Sequence, residues 1–123
     1  MAETTRNADI HRIDQSARRS RAVVAGGMVY LAGQVADDKT LDIAAQTRQA
    51  LGKVDDLLAQ AGTDRSRLIT AQIWLASMQD FDDLNTVWDS WVVPGHTPTR
   101  CCGQVALADP AYRVEIIVSA LLP

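Results

Sequence analysis

The sequence predicts an α+β fold with elements in the order β-β-β-α-β-α-β-β, two helices set among mostly hairpin-linked strands. Three observations carry that reading. A Gly26-Gly27 pair separates two β-prone runs, an apolar stripe of helical period crosses residues 41–61, and two alternating runs flank Asp109-Pro110. The 123 residues are read as one domain, 1–123, large enough to bury a real core.

Residues 8–14 are suited to a first strand. Residues 20–25 and 27–33 read as a hairpin, because Gly-Gly between β-prone runs favours a two-residue turn. Over 41–61, Ile43, Thr47, Leu51, Val54, Leu58 and Ala61 recur at steps of three or four, and Gly62 supplies a stop. Residues 68–77 are rich in β-branched and large apolar side chains and predict a strand. Asp80 is then expected to cap a second helix, with Asp83 in its first turn. Phe81, Leu84, Trp88 and Trp91 line one face of that helix, and Pro94-Gly95 ends it. Trp88 and Trp91 are read as core or subunit-contact aromatics, and His96, in the loop that follows, as structural.

The segment from His96 to Ala120 reads as two strands joined by a short turn at Asp109-Pro110. Paired as a hairpin, they would set Gln104 opposite Glu115 and Arg100 opposite Ser119. Alternation puts Arg100, Cys102 and Gln104 on one side of the first strand. On the second it puts Glu115 and Ser119 opposite Val114, Ile116 and Val118. A guanidinium, a thiol and a carboxylate within apolar strands are costly to bury unpaired, so these groups mark a candidate site.

Net charge is −3, which argues against an extended nucleic-acid surface. The one basic cluster is Arg18, Arg19 and Arg21. No apolar run approaches the roughly 18 residues of a transmembrane helix. The polar N-terminal segment lacks a signal-peptide core, so a cytoplasmic location is expected. Cys101 and Cys102 are adjacent, with side chains on opposite faces of a strand, which predicts free thiols and a reducing compartment. His11 and His96 are far apart and no Cys/His spacing fits zinc, so neither a metal nor a cofactor is expected. Two helices can cover only one face of six strands. The other face also carries Val, Ile and Leu, and a second copy of the chain is the expected cover.

The ordered segments Val29 to Gln34, Gln46-Thr47, Asp80-Phe81 through Asn85, His96 to Cys101, and Val114-Glu115-Ile116 resemble the RidA (YjgF-type) family, most closely its YoaB-like branch. The resemblance runs from about Ile10 to Leu122 and keeps the spacing from Arg100 to Glu115. It implies a chorismate-mutase-like α+β fold: a six-stranded mixed sheet with two helices on one face, assembled as a homotrimeric barrel with clefts between subunits. It also implies hydrolysis of reactive enamine/imine intermediates, such as 2-aminoacrylate, to 2-oxo acids and ammonia. Three departures bear on substrate identity. Arg19 stands where the family's deaminases usually carry tyrosine, Ala32 stands where serine is common, and the loop from Ala36 to Thr40 is short.

A 2-imino acid offers a carboxylate and an electrophilic C=N carbon. Arg100 is suited to grip the carboxylate bidentately, and Glu115 to orient or deprotonate a water. Backbone groups at Cys102 are candidates to hold that water. Asn85 is a candidate to line the cleft, and Arg19 to add positive potential for an anion. Because hairpin pairing would leave Arg100 and Glu115 roughly 13 Å apart, one cleft is expected to draw them from different subunits. The alternatives are a non-catalytic trimer binding small carboxylates, a redox-responsive chaperone using Cys101 or Cys102, and a chorismate mutase. The last shares only the fold.

Overall fold

The computed structural model describes residues 9–123. The N-terminal segment expected to lack a leader, and residue 8 of the predicted first strand, lie outside the described residues. Six strands form one sheet: β1 (Ile10–Gln15), β2 (Ser20–Ala25), β3 (Met28–Leu31), β4 (Leu68–Leu75), β5 (Thr99–Gln104) and β6 (Val114–Leu121). The helices are α1 (Ile43–Ala61) and α2 (Phe81–Trp91). Element types and order follow the sequence reading.

Local chemistry explains most boundaries. Gly26 and Gly27 both take positive φ, 59° and 79°, as a two-residue hairpin turn requires between Ala25 and Met28. The Asp42 carboxylate accepts the Ala45 N–H and starts α1. Gly62, at φ 88°, ends it in the left-handed conformation that glycine adopts without steric cost. The predicted stripe of Ile43, Thr47, Leu51, Val54 and Leu58 is buried, widened by Gln46, Ala50 and Leu57.

Asp80 departs from expectation. Its carboxylate makes no cap hydrogen bond; Ser77 caps the short 3-10 turn that precedes α2. Asp80 is instead buried and takes the Arg113 guanidinium bidentately, with Nη2 donating to Oδ1 at 2.8 Å and Nε to Oδ2 at 3.2 Å. An ion pair to a planar fork outcompetes a single cap bond. Asp82 and Asp83 occupy the first turn as the helix dipole favours.

The closing hairpin does not form. The strand order is β1-β2-β3-β6-β4-β5, so β4 lies between β5 and β6. β5 runs parallel to β4, pairing Ala71 with Arg100 and Trp74 with Gly103. β6 runs antiparallel to β4, pairing Trp74 with Glu115. A parallel neighbour needs a crossover, and α2 supplies it. Once α2 has delivered β5 to one side of β4, β6 takes the other. The turn at Asp109 exists, with Tyr112 N–H donating to Asp109 C=O at 3.1 Å, but it lies in a passage between non-adjacent strands.

Both helices pack on one face of the sheet. Ala71, Ile73 and Leu75 of β4 and Val114, Ile116, Val118 and Ala120 of β6 point into that layer and are buried. The opposite, open face carries the alternating set: Tyr30, Gln72, Trp74, Glu115, Ile117 and Ser119. Tyr30 and Ile69 are exposed.

Candidate active site

Arg100 sits on β5, an edge strand, so one side of its backbone has no strand partner within the chain. It shares a row with buried Ala71, which places its side chain on the helix face. There the guanidinium lies 5.5 Å from the Trp88 ring centroid and 5.9 Å from that of Phe81. The aromatic faces attract the cation and hold its fork in place without consuming its donors. Arg100 is exposed and belongs to none of the five ion pairs among the described residues.

Asn85 falls between Phe81 and Trp88 at helical spacing, on the stripe that Arg100 meets, and is half-buried. Cys102 lies two residues along β5 on the same face and packs against the core. Burial pushes the Cys102 thiol above its ordinary range, and the Arg100 charge opposes that shift only in part. A raised pKa means less thiolate, which weighs against nucleophilic or redox use of this thiol. Cys102→Ser is therefore expected to keep more than about half of any activity at Arg100. Complete inactivation at unchanged stability would mean that the thiol itself reacts. Gln104, on the same side, is already engaged, accepting the Met78 N–H.

Glu115 lies elsewhere. It pairs across β6–β4 with Trp74, on the open face, and Gly33 lies close beside it. A Cβ at residue 33 would stand 2.7 Å from Glu115 Cδ, so only glycine leaves the carboxylate its resting place. Arg100 and Glu115 of one chain are thus two strands and three residue rows apart, roughly 14 Å between backbones, and on opposite faces of the sheet. The hairpin register expected between them is wrong. The separation and the opposite faces replace that register as the ground for expecting the two residues of one cleft to come from different subunits.

Arg19 is exposed in the tight turn between β1 and β2, where Ser16 N–H donates to Arg19 C=O at 2.7 Å. Its neighbour Arg21 is the more engaged cation: Nη2 donates to Gln34 Oε1 at 2.9 Å. Sequence reasoning assigned no role in the site's framework to three further residues, Gln46, Asp80 and Arg113. Gln46 is fully buried and links three carbonyls to the Arg113 N–H. Asp80 and Arg113 tie the start of α2 to the start of β6. A polar residue on the buried stripe of a helix was the available signal for Gln46. Among the described residues no group of His, Cys, Asp and Glu could hold a metal ion, and no helix is long and apolar enough to cross a membrane.

The chain belongs to the YjgF/RidA family: the family model described as Endoribonuclease L-PSP matches residues 9–122. It is 40% identical over 111 residues to the RutC family protein YoaB of Escherichia coli, covering 90% of this chain and 96% of that protein. It superposes with a TM-score of 0.91 on a YjgF family protein from Neisseria meningitidis at 38% identity, covering 95% of this chain and 98% of the other. A more distant relative, 28% identical over 103 residues, is the 2-iminobutanoate/2-iminopropanoate deaminase of Rattus norvegicus; 79% of this chain and 74% of that protein are covered.

Proposed function

We propose that the protein hydrolyses 2-aminoacrylate-type imino acids to 2-oxo acids and ammonia, in clefts between the subunits of a homotrimer. The observation that carries this reading is Arg100: an exposed guanidinium with no carboxylate partner among the described residues, braced on two aromatic faces. Its fork matches a substrate carboxylate. Asn85 and the free backbone edge at Cys102 border the same place. The name of the rat relative supports the reaction class. The net charge of −3 does not favour a polyanionic RNA substrate.

In this mechanism Arg100 holds the carboxylate and Glu115 of a neighbouring copy takes a proton from water. The water oxygen bonds to the C=N carbon, whose π electrons move to nitrogen. Glu115 returns its proton to that nitrogen, and as the C–N bond of the tetrahedral adduct breaks, the adduct's hydroxyl proton passes to nitrogen, so that ammonia leaves and the carbonyl forms. The opposite faces of the two side chains within one chain support drawing Glu115 from a neighbour. The open sheet face supplies a surface for it, with a shallow apolar depression of about 410 Å³ bounded by Met28, Tyr30, Ile69, Ile117 and Ser119. A pyridoxal-phosphate serine or threonine dehydratase releases such imines, so coupling the two proteins tests the reading. Faster 2-oxo acid release than by the dehydratase alone supports it. Saturable binding of a small carboxylate without acceleration would establish the alternative, a non-catalytic binder.

A further inference from the structure

We propose that Arg21 is a positioning residue: held by Asp14, it fixes through Gln34 the Gly33 platform on which the Glu115 carboxylate rests. The proposal rests on the reading of Glu115 as the group that handles water, and its test includes a readout that does not depend on turnover.

The residues around Gly33 need fixing from outside the ladder. β3 pairs Tyr30 with Ser119, whereas the next bridge to β6 joins Gln34 to Ile116. Four residues on one strand therefore span three on the other, a bulge that leaves the segment 31–33 out of regular register. Gln34 pins its far end. The Gln34 N–H donates to Ile116 C=O at 2.8 Å and Gln34 C=O accepts the Ile116 N–H at 3.0 Å. Its side-chain Nε2 donates back to Ala32 C=O at 2.9 Å, closing a loop around Gly33. Gln34 is 4% exposed, so its remaining acceptor, Oε1, needs a protein donor, and Arg21 Nη2 supplies it at 2.9 Å. The Arg21 backbone also carries this segment, its C=O accepting the Ala32 N–H at 2.9 Å.

Arg21 is anchored in turn. Asp14 Oδ2 lies 3.6 Å from Arg21 Nη1. Asp14 has φ 51°, the left-handed region, within β1, and it is the position skipped between the pairs Ile13–Ala22 and Gln15–Ser20. It is the one described non-glycine residue with positive φ. Such conformations are uncommon, aspartate tolerates them better than most residues, and they concentrate where a side chain must be re-aimed. Here the side chain so aimed meets Arg21. Glu115 takes part in none of the five ion pairs among the described residues, and its carboxylate lies directly against the Gly33 segment.

The chain contains two glutamates, Glu3 and Glu115, so glutamate labelled with ¹³C at Cδ gives two carboxyl signals, assigned with Glu115→Gln. Arg21→Met is expected to move the Glu115 signal and leave that of Glu3 in place. Asp14→Gly, which suits the positive φ, should move it in the same direction by less. Gly33→Ala, which displaces the carboxylate directly, should move it most. In the coupled assay Arg21→Met should lower kcat about tenfold with KM within twofold. The same change made in Glu115→Gln should cost nothing further, because groups acting through one another are not additive. An unmoved Glu115 signal in a folded Arg21→Met protein, or an equal loss in the Glu115→Gln background, overturns the proposal. Should Arg21→Met fail to fold, the Asp14→Gly spectrum decides it. An absence of turnover in the wild type would contradict the functional reading and leave the carboxyl signals to judge Arg21.

Discussion

Arg100→Ala is expected to lower kcat/KM for imino-acid hydrolysis by about two to four orders of magnitude. Two charge-assisted bonds to the substrate carboxylate disappear, each contributing roughly 1.5–3 kcal/mol when formed in a water-poor cleft. Stability should hardly change. The residue is exposed on an edge strand, and its contacts to Phe81 and Trp88 account for about 1 kcal/mol or less at such a site. Arg100→Lys should recover little, since a point charge lacks the fork and sits differently on the two rings. Steady-state rates with dehydratase-generated imine, together with urea unfolding, check both halves. Wild-type kcat/KM in Arg100→Ala would remove the residue from the site.

Gln46→Leu is expected to destabilise the fold by about 3 kcal/mol or more, although leucine is similar in size and suits a buried helix stripe. Gln46 has no solvent exposure. Its Nε2 donates toward Leu41 C=O at 3.0 Å, Ala111 C=O at 3.1 Å and Lys39 C=O at 3.3 Å, and its Oε1 accepts the Arg113 N–H at 2.9 Å. The change orphans several backbone groups at once, and each orphan costs roughly 1–3 kcal/mol. It also frees the two passages that Gln46 holds together, before α1 and before β6, and so loosens Arg113 beside Asp80. Denaturant unfolding at fixed protein concentration measures the effect. A loss below about 1 kcal/mol would show that the passages are held elsewhere.

Local chemistry was legible in the residues and long-range pairing was not. Gly26-Gly27, the stripe ending at Gly62, and the alternation that sets Glu115 and Ser119 apart from Val114, Ile116 and Val118 are short-range facts. Strand adjacency depends on connections. The nine residues from Val105 to Arg113 exceed a usual hairpin loop, and the run β4–α2–β5 has the form of a parallel crossover unit. The first signal weighs against a tight β5–β6 hairpin, and the second favours β5 lying parallel beside β4. Asp80 misled because aspartate before a helix is a good cap, and nothing local reveals that Arg113, thirty-three residues away, claims it first. Candidate site residues were recoverable because charge inside strands is conspicuous, whereas their division between two faces required the topology.

The central claim is that a working cleft takes Arg100 from one chain and Glu115 from another. Arg100→Ala and Glu115→Ala proteins, each expected to be inactive alone, are unfolded, mixed in equal amounts and refolded together, with each variant refolded separately as a control. Random assembly gives about a quarter of the clefts both intact residues if the site is shared, so about a quarter of wild-type activity should return. Well-refolded mixtures that stay as inactive as the separate variants would contradict the claim, because a site built within one chain gains nothing from mixing.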